Sequence, residues 1–198
     1  VKKFDLLITG VGGQGVILAS NIIGEVALAA GYDVKKTDTL GMAQRGGSVV
    51  SHVRLGPQVY SPLIMAGEVD ILVAFEKLEA ARWSHYLRPG AIAIINDCAL
   101  RPLSINLGDE RYPNDEEIVN IIKRGSERIY FINGSDRVKK LGNIRILNVF
   151  LLGCASVCLP LKIRVWQDII SRHVPPAVRA LNITAFSQGR KEMGRVYL

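Results

Sequence analysis

At 198 residues, 48% of them hydrophobic and 22% charged, the chain has the apolar content to fold as one domain over residues 1–198 and lies far from the composition of a disordered protein. Its 25 basic and 18 acidic residues give a net charge of +7, yet they are interspersed and cluster only in pairs such as Lys35-Lys36 and Lys139-Lys140. That distribution argues against a nucleic-acid-binding stripe and suits an anionic cofactor or an acidic partner subunit.

Lys2 and Lys3 precede an apolar run, but Asp5 interrupts it and no small-residue cleavage site follows before the glycines, so no signal peptide is expected. Phe4 to Thr9 is a short run of strand formers, and Gln14 to Ala30 carries apolar residues at helical spacing until Gly31, which together predict a strand, a tight turn and a helix. The uncharged stretch from Leu6 to Gly24 is thereby explained without a membrane span, because Gly10, Gly12, Gly13 and Gly15 interrupt it. Tyr32 to Asp38 follows as the second strand of a βαβ unit, and Thr39 to Gly47 as a loop. Ser48 to Leu55 mixes β-branched and polar residues without a helical period, which predicts a strand with one exposed face, antiparallel at the sheet edge.

Ile71 to Phe75 and Ala91 to Ile95 are apolar runs of strand length, separated by a helical pattern from Lys77 to Leu87 that Pro89-Gly90 should stop. Asn96 to Asn114 holds Pro102, Gly108 and Pro113 and reads as irregular; Asp115 to Lys123 resumes a helix and Ile129 to Ile132 a strand. From Asn143 onward, three helical patterns are broken at Pro160 and at Pro175-Pro176, where a proline can open the last helix without losing a hydrogen bond. The apolar run Ile146 to Leu161 is short for a bilayer and reads as a buried core helix, so no membrane anchor is expected. The fold class that emerges is α/β and Rossmann-like: a mostly parallel sheet, helices on both faces and a helical C-terminal segment.

Gly10-Val11-Gly12-Gly13-Gln14-Gly15 has the G-x-G-x-x-G spacing directly after a strand and before a helix. Glycines there let the backbone turn and approach a phosphate, and the helix start offers unpaired N–H groups with a positive dipole end. Asp33 and Asp38 lie near the distance at which a ribose-binding acid would follow. Close packing of strand against helix explains the same glycines without any ligand. Val16-Ile17 stands where a P-loop needs lysine followed by serine or threonine, which excludes that NTPase motif.

The second loop, Thr37 to Ser48, is the least ordinary stretch. Gly46 and Gly47 can expose consecutive N–H groups to an anion, Arg45 adds a planar guanidinium suited to carboxylate or phosphate, and Gln44 and Ser48 add neutral hydrogen-bonding groups. A glycine turn beside an exposed arginine is the plainer alternative.

Taken together, GVGGQGV at Gly10 to Val16 and GMAQRGGSVVSHVRLG at Gly41 to Gly56 resemble the gamma-type domain of the 2-oxoacid:ferredoxin oxidoreductases. The GMAQRGG form is similar to that of the small subunits of the indolepyruvate branch of that family; YSPLI at Tyr60, AFEKLEAAR at Ala74 and NITAFSQGR at Asn182 extend the resemblance over nearly the whole chain. It implies a complex that joins a 2-oxoacid to coenzyme A, releases carbon dioxide and passes electrons to ferredoxin. It also implies that thiamine diphosphate, magnesium and [4Fe-4S] clusters sit on a large partner subunit, so that this chain binds no cofactor alone and is inactive by itself; the N-terminal pattern and an odd count of three cysteines add the expectation that it is cytoplasmic.

The residues agree with that division of labour. Three cysteines, Cys98, Cys154 and Cys158, are too few for a four-iron cluster and form no disulfide framework, and Cys154 and Cys158 lie one helical turn apart in an apolar run that core packing explains. No GDG motif with downstream paired asparagines is present, since Gly108-Asp109 is followed by Glu110. What the resemblance leaves to this chain is to shape the coenzyme A and substrate side of the active site, with Gly10, Gly12, Gly13, Gln14, Gly15, Gln44, Arg45, Gly46, Gly47 and Ser48 as the anion-binding candidates.

Glu76, directly after a strand, is either a further ligand group at the carboxyl end of the sheet or an acid that favours a helix start. His52, His85 and His173 have no zinc spacing, and no G-x-S-x-G marks a hydrolase. Trp83 and Trp166 fit the core or a subunit contact. Two other functions share these features: a free-standing NAD(P)-binding reductase, from the glycine loop alone, and a non-catalytic scaffolding module that kept the fold.

Overall fold

The computed structural model describes residues 2–40, 46–100 and 111–197. Among them six strands form one sheet: Phe4–Val11 (β1), Asp33–Leu40 (β2), Ser48–Gly56 (β3), Val69–Ala74 (β4), Leu87–Asn96 (β5) and Arg128–Ile132 (β6), in the order β2-β3-β1-β4-β5-β6. β1, β4, β5 and β6 are parallel neighbours, with Leu6 opposite Ile71 and Ile94 opposite Tyr130, whereas β3 runs antiparallel to β1 and β2. The mostly parallel sheet expected from the apolar runs is therefore present, and β1 and β4 are apolar on both sides because both faces are covered.

Two expectations change. β3 is antiparallel but not at the edge, because its alternate residues are buried on opposite faces, Val49, Val53 and Leu55 on one and Val50 and His52 on the other. The edge belongs to β2, whose Asp33, Lys35 and Lys36 suit a strand that must resist pairing with other chains. β1 and β2 thus form a βαβ unit that β3 splits.

The helix after β4 spans only Lys77–Trp83 (α2), followed by a 3₁₀ turn at Ser84–Tyr86. Leu87 already pairs with Val69 and Ile92 pairs with Ile71, so Pro89-Gly90 fills an irregularity inside β5 instead of stopping the helix.

Val16–Ala29 (α1) lies on one face of the sheet with Leu147–Ser156 (α5), Ile163–His173 (α6) and Arg179–Tyr197 (α7). α2 and Asp115–Lys123 (α3) cover the other, where Leu72, Ala80, Ile95, Ile118 and Ile122 form the second apolar cluster. Asn114 and Glu117 cap α3 reciprocally, which explains its sharp start after Pro113. Gly134–Lys140 (α4), too short and polar to show a hydrophobic period, had no counterpart in the sequence reading. All ten residues of α5 are buried, as its run of apolar side chains demands, and a 3₁₀ turn at Pro176–Val178 leads into α7. No helix among the described residues is long and apolar enough to cross a membrane.

Candidate functional site

The carbonyl of Phe75, the residue that follows β4, organises the carboxyl end of the sheet. It accepts from Gln14 Nε2 at 3.2 Å and from Asn96 Nδ2 at 3.1 Å, while the Phe75 amide donates to the Thr9 carbonyl at 2.9 Å. Asn96 also donates to Ser135 Oγ at 3.0 Å, and its Oδ1 accepts from the Ser135 amide at 3.1 Å. One carbonyl and one buried amide side chain therefore tie the glycine loop after β1, the end of β4, the end of β5 and the first turn of α4 into a single frame.

Within that frame the glycine loop is held by its own side chain. Gln14 Oε1 accepts from the Val11 amide at 2.7 Å, closing the turn from inside. Gly13 and Gly15 have φ of 101° and 86°, which L side chains rarely adopt, so both positions need glycine. At Gly10 the limit is space, since a Cβ would lie 2.9 Å from Phe75 Cβ and 2.8 Å from Gln14 Oε1. An added Cβ at Gly13 meets nothing within 4 Å, so its backbone faces open space.

That space is a crevice of about 540 Å³. Gly13, Gln14 and Gly15 form one wall; Cys98, Leu100 and Ser135 come from beyond β5, and Lys139, Ile144, Arg145, Leu147 and Asn148 complete the lining. It opens where α1 turns to one face of the sheet and α2 to the other, the switch point at which open α/β sheets bind ligands. The walls are largely apolar, with two cations. Lys139 lies 3.6 Å from Asp136, a pair exposed enough for solvent to screen and for a competing anion to break. Among the described residues its lining includes no histidine and no carboxylate. Such a site can grip and orient an anionic ligand with apolar parts.

The other candidates from the sequence lie elsewhere or have different work. The Gly12 amide donates to the Gly47 carbonyl at 2.8 Å and the Gly46 amide to the Gly12 carbonyl at 3.5 Å, so the two glycine loops extend the β1–β3 pairing and spend those amides on each other. Ser48 donates to the buried Glu79 and accepts from Trp83 Nε1 at 3.4 Å. Gln44 and Arg45, like Gly108-Asp109, lie outside the described residues.

Glu76 is 1% exposed and is not among the described lining of that crevice: it caps α2 by accepting from the Glu79 amide, and its other oxygen accepts from the Leu100 amide and the Tyr112 hydroxyl. The helix-start role is thus present in the structure. Burial raises its pKa against those three hydrogen bonds, and burial with the Glu76 contact holds the Tyr112 phenol far above the usual range, so Tyr112 stays a donor.

Asp38 accepts from Ser51 Oγ at 2.6 Å and pairs with Lys36. Because β3 lies between β1 and β2, two strand spacings, roughly 10 Å, separate Asp38 from the glycine loop. It is not placed as a ribose-binding acid would be.

Lys139, Arg145 and Cys98 were missed by the sequence reading because they come from a short helix, a 3₁₀ turn and an irregular segment, and only the fold gathers them. The described residues contain no group of three or more His, Cys, Asp or Glu that could hold a metal. The thiols do not fit an iron–sulfur cluster: Cys154 is buried in α5, Cys98 lines the crevice, and burial pushes Cys158 up to about 11.

A family model described as pyruvate ferredoxin/flavodoxin oxidoreductase matches residues 5–192. The indolepyruvate oxidoreductase subunit IorB of Pyrococcus horikoshii is 34% identical over 194 residues, covering 96% of this chain and 96% of that one. Among solved structures, the gamma subunit of a keto/oxoacid ferredoxin oxidoreductase from Geobacter sulfurreducens has a TM-score of 0.71 at 22% identity, covering 97% of this chain and 99% of that one. The 2-oxoglutarate:ferredoxin oxidoreductase from Magnetococcus marinus, solved with 2-oxoglutarate, coenzyme A and succinyl-CoA, has a TM-score of 0.77 at 20% identity, covering 98% of this chain but 32% of that one.

Proposed function

The chain belongs to the pyruvate ferredoxin/flavodoxin oxidoreductase family as a small subunit of a 2-oxoacid:ferredoxin oxidoreductase of the indolepyruvate kind, and we propose that its crevice holds coenzyme A for chemistry carried out on a larger subunit. One observation carries this reading: Gly13, whose backbone faces open space, and two cations line the same largely apolar crevice. Coenzyme A has the matching chemistry, with phosphates for Lys139, Arg145 and the Gly13 backbone and an apolar-tolerant arm for Leu100, Ile144 and Leu147. Gln44 and Arg45 join this set as a further anion contact, and Gly10, Gly12, Gly46, Gly47 and Ser48 support the loops that carry it.

In this reading residues 1–198 form one unit of a cytoplasmic complex. Thiamine diphosphate, magnesium and the clusters that feed ferredoxin belong to the large subunit, because the thiols here do not fit a cluster. The aryl-pyruvate preference rests on the similarity to indolepyruvate subunits. A dinucleotide reductase is disfavoured by the placement of Asp38.

The test is the assembled enzyme carrying Lys139→Ala and Arg145→Ala together. The KM for coenzyme A should rise at least tenfold, while reduction of the enzyme by indolepyruvate in the absence of coenzyme A is unchanged. An unaltered KM would remove the crevice from coenzyme A binding.

A further inference from the structure

Three of the large apolar side chains that stay exposed among the described residues fall close together: Tyr60 at 85%, Leu63 at 55% and Met65 at 67%. They belong to the segment 57–68 between β3 and β4, which is neither helix nor strand. An exposed connection of this kind is ordinarily polar and mobile. This one is fixed at several points. The Val59 amide donates to Asp33 at 2.7 Å, the Leu63 carbonyl accepts from Arg54 Nη1 at 2.8 Å, the Ile64 amide donates to His52 Nδ1 at 3.4 Å and the Glu68 amide to the Met65 carbonyl at 3.2 Å. Arg54 is itself held by the buried Asp5 at 3.0 Å. Val59 and Ile64 turn inward, and the three exposed side chains turn out.

Trp83, His85 and Tyr86 are linked to this segment through His52, which accepts from Ile64 and lies 5.6 Å edge-on to Tyr86. Their ring centroids lie 4.7 to 6.3 Å apart, and Trp83 and Tyr86 pack on the apolar cluster that contains Ile64. Trp83 and Tyr86 are half-buried and His85 is exposed, so aromatic surface is also available at the end of α2. Tyrosine, tryptophan and methionine are the residues enriched at the centres of protein interfaces. Because the segment is already pinned, docking onto it costs little further ordering.

We propose that this ridge is the docking surface for the catalytic subunit, inserting Tyr60, Leu63 and Met65 into an apolar groove of that protein. The proposal rests on the reading of this chain as a small subunit. Two observations favour that occupant over a second copy. The fold fills 32% of the Magnetococcus marinus chain, so there the same unit is joined to further polypeptide. A net charge of +7 also opposes self-association and favours a partner of opposite sign. None of the ridge residues lines the crevice.

The experiment is to coexpress the chain with its catalytic subunit and measure their dissociation constant for the wild type, for Tyr60→Asp with Met65→Lys, and for Ile121→Lys as an exposed apolar control on α3. The ridge variant should weaken the complex about a hundredfold, with the control unchanged and coenzyme A binding by the variant chain intact. Should the double variant fail to fold, Tyr60→Ala, which removes only an exposed ring, should still weaken the complex about tenfold. Equal affinity of wild type and ridge variants would overturn the ridge while leaving the subunit reading in place. The ridge is equally overturned if its variants dissociate a dimer of this chain and spare the complex. A wild-type chain that binds no catalytic subunit would remove the subunit reading and the ridge with it.

Discussion

Gly153 of α5 and Gly189 of α7 each lie against the other helix's backbone: a Cβ on Gly153 would collide with the Phe186 carbonyl oxygen, and one on Gly189 with the Phe150 carbonyl oxygen. Cys154 Sγ donates to the Gly189 carbonyl at 3.3 Å across the same crossing. The atoms in the way are backbone, which cannot rotate aside as a side chain can. Gly153→Ala and Gly189→Ala are each expected to destabilise the chain by about 3 kcal/mol. Gly194→Ala in the same helix meets nothing within 4 Å and should be neutral or stabilising by up to about 1 kcal/mol. Urea denaturation midpoints of the three variants check this.

Much of the fold was legible because its strands and helices announce themselves by burial. β1 is buried along almost its whole length, with Asp5 its one charged residue, and the capped α3 has the bounds that its sequence pattern sets. What stayed hidden is non-local. The position of β3 inside the sheet depends on two layers meeting its opposite faces, and α4 is too short to carry a period. Gly13, Gln14 and Gly15 were readable from their spacing, but Lys139 and Arg145 reach the crevice only because Asn96 and Ser135 tie α4 to the sheet. Glu76 was ambiguous in sequence because a helix cap and a ligand at a strand end occupy the same position in this fold class.

Gln14→Glu separates the two hydrogen bonds of the glycine loop. The carboxylate can still accept from the Val11 amide but cannot donate to the Phe75 carbonyl, and it puts a negative charge on the crevice wall. Expected are a loss of about 1 to 2 kcal/mol in stability and at least tenfold weaker coenzyme A binding by calorimetry. Undiminished affinity would mean that the bound anion lies away from the glycine loop.

His52 makes stability fall toward acid. It is 3% exposed and accepts from the Ile64 amide through Nδ1, and burial, assisted by the nearby Arg54 charge, lowers its pKa. Tyr86 lies edge-on at 5.6 Å and offers no opposite charge. A depressed folded-state pKa contributes stability above the unfolded value near 6.5 and loses it as pH falls through the folded value. The wild type should therefore weaken relative to His52→Gln between pH 7 and pH 5 in urea titrations. A difference that does not vary with pH would show that His52 is not the group responsible.

The three thiols should react very unequally, and the difference reports on the crevice. Cys154 is fully buried, and burial raises its pKa far beyond the usual thiol range; Cys158 is pushed up to about 11 by the same cause. Cys98 is partly exposed and lines the crevice beside Leu100 and Ser135. Since the thiolate is the reactive form, iodoacetamide at pH 8 should modify Cys98 alone in the folded chain and all three cysteines after unfolding. A coenzyme A analogue without its thiol, bound where Lys139 and Arg145 lie, covers Cys98 and should slow its labelling at least tenfold without touching the other two. Labelling at Cys154 in the native state would contradict the packing of α5, and labelling at Cys158 the burial that raises its pKa. Equal Cys98 rates with and without the analogue would place the ligand outside this crevice even if it binds the chain.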